Sequence, residues 1–278
     1  MKTQKVVIIA AIMAMPVTAF LSHAGAEPNK MILAGAGSNL AITRILADAF
    51  IKKYPDISIQ IPESIGSSGG ISAVSEGAIT VGLSSRPFRE NEKQLGLELA
   101  PYARTIIIMG AHPGVPDDNI TYEEIIQIYR GKKTTWKNGK DIIVLTRNEG
   151  ESTIDVMKQL IPGFREAHVE SLQARRWITA FTDQDMNKKL TTMPDSVGMS
   201  DYGTIASEHL AIKMLKVDGI APTAENVLKG RYALFKTLYF VFRRDNIQPE
   251  AKAFIDFVRS TEGRKILKAN GYLLAEKK

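Results

Sequence analysis

Nowhere in its 278 residues does the chain carry a cysteine. That excludes a disulfide framework, thiolate metal ligands and a thiol nucleophile, and it leaves packing alone to hold the core. Aromatic residues make up only 7% of the chain, and the densest basic pairs, Lys132–Lys133, Arg175–Arg176 and Arg243–Arg244, lack the interleaved aromatics of a nucleic-acid platform. These pairs read as solvated surface, and no nucleic-acid partner is expected. There is no G-x-x-x-x-G-K-[ST] phosphate loop and no cluster at metal-ligand spacing, so neither a metal nor another cofactor is expected. Long apolar runs are missing too: beyond residue 26 none approaches the roughly 20 residues of a membrane span.

What is present begins with a leader pattern. Lys2 and Lys5 precede an apolar run from Val6 to Phe20, and the small residues of SHAGA follow before Glu27. Residues 1–26 are therefore expected to be a cleaved secretory signal, which places the mature chain in the periplasm. The 252 residues beyond it suffice for one large domain or two small ones, and two lobes are expected. Loss of Lys2 and Lys5 lowers the formal net charge from +6 to +4, a mild excess that is scattered along the chain.

Extended and helical patterns alternate along the mature chain. MILAGAG (31–37) is an apolar run ended by glycines, and Ile42, Ile45, Leu46, Ala49 and Phe50 then recur on one helix face. This helix is expected to start near Ser38 or Asn39, both good N-cap residues. Ile57, Ile59 and Ile61 alternate with polar residues as a strand, GGISAVSEG follows as a short helix, and ITVGLSS is a third strand. TIIIMG (105–110) and DIIVLTR (141–147) read as strands covered on both faces. Thr121 and Glu124 form a capping box before Ile125, and Gly131 suits the end of that helix. LYFVF (238–242) is a further buried strand, and Pro249 opens a helix with Phe254, Phe257 and Val258 inside. The fold class is α/β with mostly parallel strands.

Three times a strand ends in small hydroxyl or amide residues that open a helix: GAGSN (35–39), GSSGG (66–70) and RNEGEST (147–153). Each arrangement aims helix N–H groups and hydroxyls outward from strand carboxyl ends, where open α/β sheets bind ligands. Facing one point, the three make an anion cage of little formal charge, with Arg147 as a two-pronged donor. Taken singly, each is explained by helix capping and turn formation. Gly66, Ser68 and Gly70 also satisfy the G-x-S-x-G nucleophile pattern, which needs an acid and a histidine downstream. His112, His168 and His209 are available, but none has a flanking motif, and all three read as surface histidines.

In this order the motifs resemble the periplasmic phosphate-binding proteins that serve ATP-driven phosphate importers. The resemblance rests on GAGSN, IGSSGG, VGLSSRP, R-x-x-G-x-x-T at Arg147, Gly150 and Thr153, SVGMSDYG (196–203), and KVDGIAPTAENVLKGRYAL (216–234). It implies a type-2 periplasmic-binding-protein fold of two α/β lobes, each a mostly parallel sheet flanked by helices, joined by two crossing strands. The expected division is 27–110 and 235–278 for the first lobe and 111–234 for the second. The resemblance further implies a non-enzymatic monomer that delivers phosphate or a related oxyanion to an inner-membrane ABC permease. The implied contacts are Ser38, Asn39, the Leu40 backbone, Ser67, Ser85, Arg147, Glu151, Ser152 and Thr153.

Two positions depart from the family pattern. Ser85 stands where the family carries an aspartate that accepts the ligand's proton, and Glu151 stands where it carries a serine. Sulfate lacks that proton, so selectivity between the two anions turns on these positions. Glu151 has three readings: an acid in a first helical turn facing solvent, a partner for Arg147, or the proton acceptor that Ser85 no longer is. Arg86 reads as a ligand donor or as a structural partner for an acid. Other oxyanions, small carboxylates, a ligand-sensing role and a serine hydrolase using Ser68 remain the alternative functions.

Overall fold

The computed structural model describes residues 29–275, so the expected leader at 1–26 lies outside the described residues. The first half of the chain runs β1 (Asn29–Gly35), α1 (Gly37–Lys53), β2 (Ile57–Gln60), α2 (Gly66–Ser75), β3 (Val81–Ser84) and β4 (Leu97–Ala111). It continues through β5 (Asn119–Ile120), α3 (Tyr122–Tyr129), β6 (Ile143–Thr146), α4 (Ser152–Leu160), α5 (Phe164–Gln173), β7 (Ile178–Thr179) and α6 (Asp183–Thr192). The remainder is β8 (Ser196–Asp201), α7 (Tyr202–Glu208), β9 (Lys213–Val217), α8 (Ala224–Leu228), β10 (Phe235–Arg243), α9 (Pro249–Arg259), α10 (Thr261–Ala269) and β11 (Leu273–Leu274).

The main strand order is β2-β1-β3-β10-β4-β8-β6-β7. Pairing is parallel among β2, β1 and β3 and among β7, β6 and β8, and antiparallel wherever β4 or β10 takes part. The reason is connectivity. Strand–helix–strand units return each strand in the same direction, whereas β4 and β10 pass straight from one lobe to the other.

Two main hydrophobic cores divide along those strands. One gathers Met31, Leu40, Phe50, Leu83, Tyr102, Ala103, Leu238, Phe240 and Phe254; the other gathers Ile106, Ile108, Ile125, Tyr129, Leu145, Phe164, Met199 and Leu234. Thus β4 changes cores between Ala103 and Ile106, and β10 does so between Phe235 and Leu238. The first crossing falls within β4, which runs for 15 residues up to Ala111. In the first core Tyr102 stacks on Phe240 at 4.1 Å, and Phe50 meets Phe254 edge-on at 5.3 Å. Each such side chain contributes about 1.5–3 kcal/mol by leaving water.

Most expected elements form, including the Thr121–Glu124 capping box and Pro249 at the first turn of α9. The start of α1 differs from expectation. Its N-cap is Ala36, and Ser38 and Asn39 lie inside the first turn with no side chain capping the helix. Asn39 is drawn away from capping because its Nδ2 donates to the Ser84 carbonyl at 3.3 Å and to the Tyr102 hydroxyl at 3.0 Å.

Helix α2 lies hard against the ends of β1 and β3. A Cβ on Gly70 would sit 2.8 Å from the Ala34 carbonyl oxygen and 2.9 Å from Gly35 Cα, both backbone atoms that cannot yield locally. A Cβ on Gly69 would meet only the Ile65 side chain, its Cβ at 3.1 Å, and Ile65 is an exposed residue at the helix start that need give by only a few tenths of an ångström. Gly70→Ala is therefore expected to lower stability by about 1–3 kcal/mol through overpacking, despite the better helix propensity of alanine. Gly69→Ala is expected to be neutral or to raise stability by up to about 1 kcal/mol. Urea unfolding of both variants checks this opposition of sign.

Candidate functional site

The cleft between the lobes is built by three helix starts. Helix α1 follows β1 and helix α2 follows β2; neither has a side-chain cap or an acidic residue in its first turn. Their N-terminal N–H groups and dipoles are left to face a negative group. Opposite them, α4 follows the loop that carries Arg147. A cavity of about 430 Å³ lies between, lined by Gly37, Ser67, Arg147, Glu151, Ser152 and Asp183 among others. Across it the lobes touch: Gln184 Nε2 donates to the Gly37 carbonyl at 3.3 Å, and Arg89 Nη2 donates to the Gly150 carbonyl at 2.8 Å. The arrangement is a closed one.

Hydroxyls cross this seam in series. Ser67 Oγ accepts the Ser85 N–H at 3.1 Å and lies 3.4 Å from Ser85 Oγ. Ser85 Oγ in turn is 2.8 Å from Ser152 Oγ of the other lobe, and Ser152 Oγ donates to Glu151 Oε1 at 3.0 Å. Ser38 is wholly buried in the first turn of α1, and its Oγ has no hydrogen-bond partner. Arg147 is buried as well, 3.9 Å from Glu151 Oε1 through Nη2 and 3.9 Å from Asp183 Oδ1 through Nη1. Those separations exceed hydrogen-bond length, and Arg147 Nη1 has no partner. Buried donors without partners are rare in folded proteins, so Nη1 of Arg147, a residue that lines the cavity, marks a place for an acceptor.

Glu151 does not face solvent. It is the N-cap of α4, and Oε2 accepts the Thr153 N–H at 2.9 Å and the Ile154 N–H at 3.3 Å. Burial works to raise its pKa, but Lys236, Arg147 and these hydrogen bonds outweigh it and hold the carboxyl below its ordinary value. It serves as an internal anion at the one helix start of the three that has a side-chain cap.

The structure brings Ser67, Ser85, Arg147, Glu151, Ser152 and Thr153 into one connected group, and no hydrogen bond of the Ser38 hydroxyl joins it to them. Asn39 supports the end of β3 through its amide, and the Leu40 side chain belongs to the first core. Arg86 is a structural partner: its two terminal nitrogens each lie 2.7 Å from Glu92, and Nη2 donates to Ser68 Oγ. Ser68 Oγ thus accepts from a guanidinium, and the hydrogen bonds of His112 and His168 are made to other residues.

His168 corrects the expectation of a surface histidine. It is fully buried on the inner face of α5 with Phe164 and Ala167, and Nε2 donates to the Arg147 carbonyl at 3.0 Å. Burial lowers its pKa and favours the neutral ring. Spacing with Phe164, Ala167 and Ser171 on one helix face was the available signal.

Two more charged residues were not seen from sequence. Lys236 of β10 is buried and donates to Thr153 Oγ1 at 2.9 Å. Asp201, at the end of β8, accepts from Thr105 Oγ1 and from the Thr204 N–H, each at 2.9 Å. Burial pushes Asp201 up to about 6, with Asp183 adding to the rise and Lys236 opposing it.

This folded arrangement belongs to the type-2 periplasmic-binding class: two α/β lobes joined by two crossing strands around a polar cleft. The chain belongs to the PBP superfamily, whose domain description matches residues 22–262. It is 24% identical over 250 residues to the phosphate-binding protein PstS of Bacillus subtilis (strain 168), covering 87% of this chain and 80% of that one. It is also 24% identical over 265 residues to PstS of Borreliella burgdorferi, covering 92% and 94% respectively. A solved structure of a Clostridium perfringens protein with phosphate bound, described as a phosphate ABC transporter substrate-binding protein, aligns with a TM-score of 0.79. The two are 28% identical, and the match covers 89% of this chain and all of the other.

The Asp201 shift sets a pH dependence. A carboxyl raised from 3.8 to about 6 in the folded state favours folding while protonated. That contribution is complete below about pH 4 and is lost as pH rises through about 6, amounting to on the order of 3 kcal/mol. Asp201→Asn is expected to lack this fall, so the difference in unfolding free energy between variant and wild type shifts in favour of the variant from pH 4 to pH 7. Denaturant titrations across that range measure it.

Proposed function

We propose that the protein is a solute receptor that traps inorganic phosphate between its lobes and delivers it to an ABC permease of the inner membrane. The observation that carries this is the meeting of two uncapped, acid-free helix starts with the unpartnered Nη1 of buried Arg147 across one cleft. The names borne by the Bacillus and Borreliella relatives, and the phosphate in the Clostridium structure, supply the identity of the anion. The proposed contacts are the main-chain N–H groups at the start of α1 with Ser38, then Ser67 and Ser85, and from the other lobe Arg147, Ser152 and Thr153. The crossing segments of β4 and β10 act as the hinge. Binding is non-enzymatic, since Ser68 is held by Arg86. The leader pattern at 1–26 supports export, and among the described residues no helix is long and apolar enough to cross a membrane.

Glu151 gives the site its preference for a protonated anion. Each hydroxyl has one proton and two lone pairs. With the Ser152 proton given to Glu151, the Ser85 proton goes to Ser152, and Ser85 is left presenting a lone pair. Phosphate retains a proton at neutral pH to donate there, whereas sulfate brings only acceptors. The series of hydroxyls thus transmits the carboxylate's acceptor character to the position where the family carries an aspartate.

At a hundred times its dissociation constant, phosphate is expected to add about 2.7 kcal/mol to the stability of ligand-stripped protein, seen as a raised thermal midpoint, with little effect of sulfate. Glu151→Gln no longer fixes the direction of the series and is expected to reduce the preference for phosphate over sulfate about tenfold. A preference unchanged in Glu151→Gln contradicts the selectivity mechanism. No response of the wild type to either anion contradicts the receptor.

A further inference from the structure

Lys236 stands apart from every motif of the ligand loops, yet it ends among them. It lies near the start of β10, on the side of the crossing that packs with the second core, and three residues later Tyr239 pairs with Ser84, the neighbour of Ser85. A single strand therefore carries both a cation to the Thr153 side of the cleft and the backbone partner of the Ser85 side. The ammonium is buried, and its hydrogen bond is to Thr153 Oγ1 at 2.9 Å. A buried cation with so little direct pairing needs a reason, because desolvating a charge is costly unless it is compensated.

Its surroundings supply one. Arg147 stands 3.9 Å from each of two carboxylates, Glu151 and Asp183, and Lys236 adds a second cation whose field acts on Glu151. Without Lys236 the carboxylate of Glu151 is answered by Arg147 alone, and it opposes an arriving anion more strongly. The hydrogen bond has a second effect. An ammonium can only donate, so Thr153 Oγ1 must accept from it, and the hydroxyl proton is directed elsewhere. Its partner within the protein is Glu151 Oε1 at 3.4 Å, a long contact that a bound oxyanion replaces readily.

We propose that Lys236 is a positioning residue of the anion site, which from the crossing strand β10 fixes the Thr153 hydroxyl as a donor and balances the Glu151 carboxylate beside Arg147 without itself touching the ligand. This deepens the oxyanion reading and rests on it. It makes affinity depend on a residue of the hinge, so that the register of β10 against β3 and the polarity of the Thr153 hydroxyl are set together.

The test is calorimetric titration of inorganic phosphate and of sulfate into ligand-stripped wild type, Lys236→Met, Lys236→Arg, Thr153→Val and the Lys236→Met/Thr153→Val double variant. Thermal midpoints of the ligand-free forms are taken alongside. Lys236→Met is expected to weaken phosphate binding tenfold or more, about the effect of losing a charge-assisted hydrogen bond, and Lys236→Arg to restore most of it. Because Lys236 acts through Thr153, the losses in the double variant are expected to fall well short of the product of the single ones. If Lys236→Met does not fold, Lys236→Gln retains a polar stem and is expected to show the same shortfall with Thr153→Val. Phosphate affinity unchanged in Lys236→Met, or losses that multiply fully, overturns the inference while leaving the receptor reading intact. A wild type that binds neither anion overturns both.

Discussion

The guanidinium of Arg147 is the constraint on which the cleft depends. It is buried, its two carboxylate neighbours stand at 3.9 Å, and one of its nitrogens has no partner. A charge so placed is tolerated only if its backbone is fixed and its field is answered. His168 provides the first by donating to the Arg147 carbonyl from the core of α5. Glu151 and Asp183 provide part of the second at a distance, which leaves the donor free. In the proposed receptor the two helix starts of the opposite lobe complete it when an anion lies between.

Placing most of the donors on neutral groups follows from the same electrostatics. Two like charges 4 Å apart repel by about 4 kcal/mol at an effective dielectric of 20, so every further lysine near Arg147 would strain the closed protein before a ligand arrived. Main-chain N–H groups and hydroxyls carry no such penalty. They also impose direction, and Glu151 uses that by accepting at the end of the hydroxyl series. That acid, for which the sequence left three readings, caps its own helix.

Local features were readable because they are written within a few residues: the Thr121–Glu124 capping box, Pro249 opening α9, and the hydroxyl-rich turns at 35–39, 66–70 and 147–153. Ser38 and Asn39 were misplaced as caps because Asn39 answers to Ser84 and Tyr102, distant in sequence. His168 was legible only through its helical spacing with Phe164, Ala167 and Ser171, because it lies within a charged stretch between Glu166 and Glu170. Lys236 and Asp201 were beyond reach. Lys236 is an isolated charge in a strand whose partner lies 83 positions away, and Asp201, though it caps α7 locally, is buried against Thr105, 96 positions away. The length of β4 was hidden as well, since its outer part alternates in burial and only its inner part is a continuous apolar run.

The account's central claim is that one phosphate is enclosed by donors from both lobes. Equilibrium dialysis of ligand-stripped protein against radiolabelled phosphate, with and without excess unlabelled sulfate, tests it most directly. The expected result is one phosphate retained per chain and little displacement by sulfate. Absence of retained phosphate, or its ready displacement by sulfate at equal concentration, contradicts the account.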